Sequence, residues 1–172
     1  MNRRTFTGAL ATATALLSIP LTSCAGDKKT ASSRFPLLKT EDEWRKLLSP
    51  DQFEVLRKEG TEPPNSSPLN NIKAPGTFIC AGCFLPLFHT ETKYDSGTGW
   101  PSFWRPLAET SIATRTDYKL ILPRTEYHCS RCGGHQGHIF DDGPKPTGLR
   151  YCNNGVALKF VAEQETLPKV LT

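Results

Sequence analysis

The sequence predicts one mainly β domain of antiparallel strands, with two short helices before the strands and a four-cysteine metal site within it. Three observations lead to this prediction. From residue 76 onward, short runs of β-branched and aromatic residues alternate with Gly, Pro and Asn. Two capping boxes lie between residues 40 and 59, and two Cys-x-x-Cys pairs follow further along the chain. The 172 residues are enough for one domain with its own core.

Four runs carry the strand prediction. Each is rich in β-branched or aromatic residues and is bounded by turn-forming residues: 77–80, 118–122, 125–129 and 156–160. No stretch between residues 76 and 172 repeats its apolar positions with a sustained helical period. The strands are therefore expected to form the body of the domain.

The two helices are predicted from their first residues. Capping boxes at 40–43 and 49–52 each precede apolar residues, which indicates two helix starts. Pro50 suits the first turn of the second helix, and Gly60 is of a type that commonly ends one. Residues 61–75 are rich in Pro, Asn and Ser and are predicted to form a loop.

The N-terminal residues indicate export rather than fold. Arg3 and Arg4 form a twin-arginine start, and the weak apolar run after them is too short for a stable membrane span. The residues before Cys24 look like a bacterial lipobox, so we expect cleavage there, lipidation of Cys24, and a periplasmic or other extracytoplasmic protein anchored to a membrane. An ordinary secretory signal with an incidental cysteine is the alternative. The predicted divisions are a signal peptide at 1–23, a lipid-anchored tether at 24–38 and the folded domain at 39–172.

Charge excludes one class of partner. The formal net charge is +4, and the Lys and Arg residues are scattered along the chain. Proteins that bind nucleic acid usually gather basic residues into a patch or run, so no nucleic-acid partner is indicated. We expect a monomer.

Two matching Cys-x-x-Cys pairs predict a metal site formed by Cys80, Cys83, Cys129 and Cys132. Two intervening residues let both sulfurs of a pair turn toward one ion, so two pairs complete a closed tetrahedral shell for one structural zinc ion. Gly82 and Gly133 suit the tight turns that such pairs need. Disulfide bonds are the alternative, since an exported protein meets an oxidising compartment.

Cys152 stands apart from the paired cysteines. If residues 150–154 are extended, the side chains of Arg150, Cys152 and Asn154 point to one face. A nearby guanidinium favours the thiolate, which is the nucleophilic form of cysteine, and an amide can hold a ligand oxygen or a water. A buried and inert cysteine is the alternative.

Two glycine-rich stretches carry further candidates. His135 and His138 could act as acid, base or substrate anchors, and metal ligation or a surface turn are the other possibilities. Trp100 and Phe103 could wall an apolar pocket, or they could belong to a core aromatic cluster. Neither stretch alone decides between these readings.

Together these segments resemble the peptide methionine-R-sulfoxide reductases of the MsrB type, over residues 44–160. The resemblance rests on the two cysteine pairs and on the motifs at 94–103, 135–140, 142–144 and 150–154. It implies two antiparallel sheets in an open, barrel-like β-tent with short N-terminal helices. It also implies one zinc ion, held by the four cysteines far from the active centre of an enzyme that repairs oxidised proteins.

The resemblance implies roles for the candidate residues. Cys152 matches the nucleophile, and Trp100 matches the residue that packs on the S-methyl group of the substrate. Phe103 remains the predicted second wall of the pocket. The polar matches are His135, His138 and Asn154 around the sulfoxide, Arg150 near the nucleophile, and Glu126 as an active-site acid.

The reaction that the resemblance implies begins with attack of Cys152 on the sulfoxide sulfur of a peptide methionine-R-sulfoxide. His138 would deliver a proton to the oxygen, and Cys152 would be left as a sulfenic acid. Many relatives carry a resolving cysteine where this chain has Thr98. We therefore predict that an external thiol, either a thioredoxin-like protein or a small thiol, reduces Cys152.

Two other function classes remain open from the sequence. A non-enzymatic zinc module that binds a partner through its aromatic loop would explain the four paired cysteines but gives Cys152 no task. An acyl-transfer enzyme would also pair Cys152 with a histidine, but it would form an acyl adduct instead of a sulfenic acid.

Overall fold

The computed structural model describes residues 35–119 and 122–172. The predicted signal peptide, Cys24 and most of the predicted tether lie outside these ranges. Two helices come first, α1 (Glu41–Leu47) and α2 (Pro50–Lys58). In the part of the chain that the structure describes, no helix is long and apolar enough to cross a membrane.

Both helices begin as predicted. The Thr40 hydroxyl accepts a hydrogen bond from the Glu43 backbone N–H at 3.3 Å, and the Glu43 carboxylate accepts one from the Thr40 N–H at 2.7 Å. Ser49 and Gln52 repeat this exchange at 3.2 and 3.1 Å. These bonds satisfy N–H groups that no helical carbonyl can reach. The second helix ends at Lys58, and its C-cap is the left-handed residue Glu59, with φ of 59°, rather than the glycine that follows it.

Two antiparallel sheets form the body of the described domain. Their strands are β1 (Gly76–Cys80), β2 (Pro86–His89), β3 (Lys93–Tyr94), β4 (Ser102–Phe103), β5 (Ile112–Asp117), β6 (Arg124–Cys129), β7 (His135–Phe140), β8 (Arg150–Asn153) and β9 (Leu158–Ala162). One sheet has three strands in the order β2-β1-β9, and the other has six in the order β3-β4-β8-β7-β6-β5. Neither order closes on itself, so the two-sheet prediction is confirmed but the sheets do not form a barrel. Short 3-10 helices occur at Pro68–Asn71, Thr90–Thr92, Glu109–Ser111 and Gly155–Ala157.

The strand predictions at 77–80 and 125–129 are confirmed, and the one at 156–160 is confirmed from Leu158 onward. The prediction at 118–122 is wrong for its described residues. Tyr118 and Leu122 are 76% and 75% exposed and belong to no strand, while residues 120 and 121 lie outside the described ranges. The strand of this region is β5, whose exposed positions are mostly polar and therefore escape a search for apolar runs.

Aromatic side chains from both sheets fill the core. Phe78 and Phe88 come from the three-stranded sheet, and Phe103, Tyr127 and Tyr151 come from the six-stranded sheet. The Phe88 and Phe103 rings stack at 4.2 Å between centroids, and Phe78 meets Phe103 edge-on at 5.0 Å. Such pairs add about 0.5–1.5 kcal/mol each to the free energy gained by burial.

The packed domain begins before its predicted boundary at residue 39. Leu37 is 5% exposed and belongs to the hydrophobic core. Its backbone N–H donates a hydrogen bond to the Arg131 carbonyl at 2.9 Å. The last residues of the predicted tether are therefore part of the fold.

Candidate active site and metal centre

One row of side chains crosses the six-stranded sheet. Residues directly opposite each other on neighbouring antiparallel strands point to the same face, and the next residues along the strands point to the other. The register therefore puts Phe103 and Tyr151 on the core face and their strand neighbours on the opposite face. From β3 to β5, the residues of this row are Tyr94, Ser102, Cys152, His138, Glu126 and Arg115.

A cavity of about 120 Å³ opens at the middle of this row. Trp100 and Phe140 give it apolar walls, while Cys152 and His138 contribute a thiol and an imidazole. This volume is well below the roughly 300–1,000 Å³ of sites for drug-sized ligands, so the cavity suits a single side chain. The remaining lining residues are Thr61, Arg124, Gly137, Asn153 and Asn154.

Cys152 has opposing influences on its thiol. Burial raises the pKa of Cys152 above its usual value, while the Arg150 charge and hydrogen bonds with Thr98 and Arg150 lower it. Burial has the larger effect, so the resting group is a thiol. Arg150 is held in place by two bonds to Asp142, at 2.7 and 2.8 Å, and its guanidinium lies 4.3 Å from the centre of the Phe140 ring.

His138 is paired with a buried carboxylate. Its Nε2 lies 2.8 Å from Asp117 Oδ2, and Asp117 also accepts hydrogen bonds from Lys119 N–H at 2.8 Å and from Arg124 at 2.6 Å. These bonds, that of Lys119 first, hold the pKa of Asp117 well below its usual value despite burial. Burial lowers the pKa of His138, although Asp117 opposes this. At neutral pH we therefore infer an uncharged His138 with its hydrogen on Nε2.

His135 and Glu126 lie next to this pair and do not line the cavity. His135 Nδ1 lies 2.5 Å from Glu126 Oε1, and Arg115 Nε donates to Oε2 at 2.7 Å. Burial lowers the pKa of His135 to about 4. Burial alone would raise the pKa of Glu126, but Arg115 and the neighbouring histidines lower it overall. The His135 ring meets the His138 ring edge-on at 5.6 Å, so this buried network supports the face of His138.

The four paired cysteines form one buried cluster. Their sulfurs all lie within 4.8 Å of one another, with 3.7 Å between Cys80 and Cys132 and 3.4 Å between Cys83 and Cys129. These separations are too long for disulfide bonds and close to the ~3.8 Å expected in a tetrahedral zinc–thiolate shell. Hydrogen bonding among the sulfurs, that of Cys129 first, and burial raise the pKa of Cys80. A bound cation would allow all four to be thiolates, so the residues fit a metal ion.

The cluster joins the two sheets. One pair lies at the β1–β2 hairpin and the other at the β6–β7 hairpin. In each pair, the residue after the second cysteine has a left-handed backbone. Phe84 has φ of 66°, and its N–H donates a hydrogen bond to the Cys80 carbonyl. Gly133 has φ of 67°, and its N–H donates one to the Cys129 carbonyl. The predicted turn role is thus confirmed for Gly133. Gly82 also lies in the turn between its two cysteines, but Phe84 takes the left-handed position there.

Comparison with known proteins agrees with this geometry. Residues 48–162 match the SelR domain. A protein of Methanosarcina barkeri named peptide methionine sulfoxide reductase MsrB is 48% identical over 127 residues, 74% of this chain and 89% of that protein. This chain belongs to the MsrB family. A protein of the same name from Leptospira interrogans is 46% identical over 125 residues, 73% of this chain and 95% of that protein. The chloroplastic peptide methionine sulfoxide reductase B1 of Arabidopsis thaliana is 46% identical over 128 residues, covering 74% and 63% of the two chains.

The MsrB-type residues predicted from the sequence fall into two groups in the structure. Cys152, His138, Trp100 and Asn154 line the cavity, whereas Arg150, His135 and Glu126 lie beside or behind it. Phe103 is the exception. It is completely buried among Phe78 and Phe88, on the other face of β4 from Ser102. The structure therefore places Phe103 in the core and gives the second apolar wall of the cavity to Phe140.

Glu62 anchors this candidate site, although no sequence motif predicted it. Its carbonyl accepts a hydrogen bond from Trp100 Nε1 at 3.0 Å, and its N–H donates to Asn154 Oδ1 at 3.1 Å. Its buried carboxylate accepts from the Gly155 N–H at 2.6 Å. Asn154 also donates to the Gln136 carbonyl at 3.1 Å, so both ends of its amide hold backbone groups. A glutamate in a loop rich in Pro and Ser carries no sequence signal for this role.

Gly137 was missed as well. It lies between two predicted histidine sites, and a Cβ built on it would be 1.9 Å from the Cys152 carbonyl oxygen. Any side chain here would push β8 away from β7 at the position of Cys152. The glycine thus sets the spacing between the cysteine and its cross-strand neighbour His138.

Proposed function

We propose that this protein reduces methionine-R-sulfoxide in peptides and proteins to methionine, with Cys152 as the nucleophile. The observation that carries the proposal is the register that puts Cys152 directly opposite His138 under a cavity walled by Trp100 and Phe140. An apolar wall suits the S-methyl group of the substrate, and an imidazole beside the thiol suits proton transfer. Membership of the MsrB family supports the same substrate class.

The first step activates the thiol. His138 keeps its hydrogen on Nε2, which faces Asp117. Nδ1 therefore has a free lone pair and is the atom that can take the proton of Cys152. Asp117 then stabilises the imidazolium that forms, and Arg150 stabilises the thiolate. This transfer overcomes the raised pKa of Cys152 without requiring a free thiolate in the resting protein.

The second step transfers oxygen. The Cys152 sulfur attacks the sulfoxide sulfur and forms a sulfur–sulfur bond, and His138 returns the proton to the sulfoxide oxygen. The hydroxyl group then moves to the Cys152 sulfur as the sulfur–oxygen bond of the substrate and the new sulfur–sulfur bond break, which releases methionine and leaves a sulfenic acid on Cys152. The methionine sulfur gains two electrons and the Cys152 sulfur loses two, so the step needs no other oxidant or reductant.

Recycling needs two thiols from outside. The position of the resolving cysteine in many relatives is Thr98 here, and the other cysteines in the described ranges belong to the cluster. A first thiol would release water and form a mixed disulfide with Cys152, and a second would release Cys152 as a thiol. The donor would be a thioredoxin-like protein or a small thiol. The cluster would hold one zinc ion as a structural element, with no part in these steps.

The test of this function uses Cys152→Ser and peptides that carry one epimer of methionine sulfoxide, with dithiothreitol as donor. We expect the parent to reduce the R epimer, the variant to lose at least about 10³-fold in rate, and the S epimer to remain unreduced. A variant with parental activity would contradict the proposal. Metal analysis of the same samples should give about one zinc per chain in both proteins.

We also propose that the protein is exported and held at a membrane by a lipid on Cys24, as the residues before Cys24 suggest. Replacement of Cys24 by Ala should release the protein from the membrane fraction while leaving its activity in extracts unchanged. Unchanged membrane association would contradict lipidation at Cys24.

A further inference from the structure

Three hydroxyl groups form a chain that leads to the Cys152 sulfur. Thr98 Oγ1 lies 2.8 Å from Ser96 Oγ, which lies 2.8 Å from Ser102 Oγ. Ser102 donates to the Trp100 carbonyl at 3.1 Å and pairs directly with Cys152 in the sheet register. Thr98, at the other end, is near enough to Cys152 for its hydroxyl to lower the pKa of the thiol, and it does not line the cavity.

The loop that carries Thr98 is shaped to present it. Gly97 and Gly99 on either side are both left-handed, with φ of 69° and 89°. The Gly97 N–H donates to Asp95 Oδ1 at 2.9 Å, and a Cβ on Gly99 would be 2.9 Å from Pro64 Cβ. Left-handed backbone strongly favours glycine, so the residues beside Thr98 fix where its hydroxyl points.

Each hydroxyl has one hydrogen, so the chain has a direction. Since Ser102 gives its hydrogen to the Trp100 carbonyl, it accepts from Ser96, which in turn accepts from Thr98. The Thr98 oxygen is then left to accept from the Cys152 thiol. When Cys152 loses its proton, rotation of the three hydroxyls reverses the chain, and Thr98 donates to the sulfur.

We propose that Thr98 is a catalytic residue that hydrogen-bonds the Cys152 sulfur in both of its protonation states, with Ser96 and Ser102 as positioning residues. A thiol is a weak donor, whereas a thiolate is a charged acceptor that forms the stronger bond. The chain therefore favours the nucleophilic state. This inference rests on the proposed role of Cys152 and assigns a chemical task to the residue at the resolving position.

Several other groups act on the Cys152 thiol and must be held constant in any test. The titratable and charged groups around it are Arg150 on β8, Asp142 between β7 and β8, Tyr94 on β3, Tyr127 and Arg124 on β6, and His138 on β7. None of them is changed by a substitution at Thr98 or Ser96.

The test compares Thr98→Val, Thr98→Ser and Ser96→Ala with the parent, and it uses Thr116→Val on the exposed part of β5 as the matched control. The pH dependence of iodoacetamide alkylation of Cys152, read by mass spectrometry without substrate, reports the pKa of its thiol. We expect Thr98→Val to raise that pKa by about one unit, a tenfold loss of thiolate at neutral pH. Thr98→Ser should restore the parental value, and Ser96→Ala should give a smaller rise in the same direction.

The outcomes separate this inference from the proposed function. A parental pKa in both Thr98→Val and Ser96→Ala would overturn the role of the chain, even if Cys152 is the nucleophile. A rise in Thr98→Val alone would overturn the positioning role of the serines. If Thr98→Val fails to fold, as judged by circular dichroism, then the pKa of the Cys152 thiol in Ser96→Ala is the deciding measurement. Single-turnover rates should follow the same order and should recover at high pH, whereas loss of activity in Cys152→Ser tests only the proposed function.

Discussion

The four-cysteine cluster and Cys152 place the same side chain in two different surroundings. The cluster sulfurs are almost completely buried and face one another. Cys152 is partly exposed, opens onto a cavity, and has a guanidinium and a hydroxyl as its partners. The first arrangement leaves no position open for a substrate, while the second leaves one side of the sulfur free. Cysteine reactivity here follows from these neighbours.

One residue of β7 connects the two surroundings. Gln136 Nε2 donates to Cys80 Sγ at 3.5 Å, and the Gln136 carbonyl accepts from the Asn154 N–H at 2.8 Å. Asn154 lies two residues after Cys152. Damage to the cluster is therefore expected to reach the candidate active site, whereas damage at Cys152 should leave the cluster intact.

The largest expected effect comes from breaking the cluster. Cys83→Ser would remove one of the four proposed zinc ligands at the junction of the two sheets. Binding of a structural zinc ion supplies about 10–16 kcal/mol, as much as the whole stability of a typical domain. We expect the variant to lose its zinc and to unfold at room temperature in circular dichroism. Cys152→Ser is the matched control and should keep both its zinc and its melting temperature. Equal stability of the two variants would contradict the structural role of the cluster.

The next effect concerns the proposed proton transfer between Cys152 and His138. His138→Gln keeps a polar side chain but removes the imidazole, so kcat should fall by about 10²–10⁴-fold while the fold is retained. His89→Gln is the control, because His89 lies outside the cavity and bonds only weakly to its own turn, at 3.4 Å. A loss of the same size in both variants would mean that the imidazole of His138 has no specific role.

A smaller effect is expected from the spacing of β7 and β8. Gly137→Ala would force its Cβ against the Cys152 carbonyl, and a shift of about 1 Å in a catalytic group can cost about 10²-fold in rate. Gly148→Ala is the control, because it also adds a methyl group to a glycine but into open space. Its left-handed φ of 72° should reduce stability modestly without lowering kcat. Parental kcat in Gly137→Ala would show that the sheet can absorb the clash.

The smallest predicted effect is a pH dependence of stability around the buried network behind His138. His135 has a folded pKa of about 4, so between about pH 6.5 and 4 the unfolded chain binds a proton that the folded one does not. Stability should therefore fall as the pH is lowered through this window, by about 2 kcal/mol at pH 5 relative to pH 7. Urea unfolding at the two pH values measures this. The stability of His135→Gln should depend less on pH than that of the parent. An unchanged pH dependence in this variant would assign the effect to other groups.

The two cysteine regions differ in how much of their structure could be predicted from the sequence. The spacing of Cys80 and Cys83 and of their distant counterparts predicted the cluster, because two residues between ligands is itself a local geometric constraint. The surroundings of Cys152 depend on strand register, which brings together residues far apart in the chain. Asp117 and Glu62 were missed for this reason, since neither belongs to a local motif.

The same argument explains the correction at Phe103. Aromatic residues in one loop cannot be assigned to the core or to a pocket until the alternation of a strand is known. In β4 the two residues Ser102 and Phe103 point to opposite faces, and only Ser102 shares a face with Cys152. The helix caps, by contrast, involve residues three positions apart, and there the prediction from local sequence held at both helices.

The central claim is that Cys152 alone among these cysteines takes the oxygen of the substrate. The most direct measurement treats the zinc-loaded protein with one equivalent of a methionine-R-sulfoxide peptide, without reductant, in the presence of dimedone, and locates adducts by mass spectrometry. The account predicts close to one sulfenic-acid adduct on Cys152 and none on the four cluster cysteines. An acyl adduct on Cys152, or product formed with sulfenic acid only on the cluster cysteines, would contradict it.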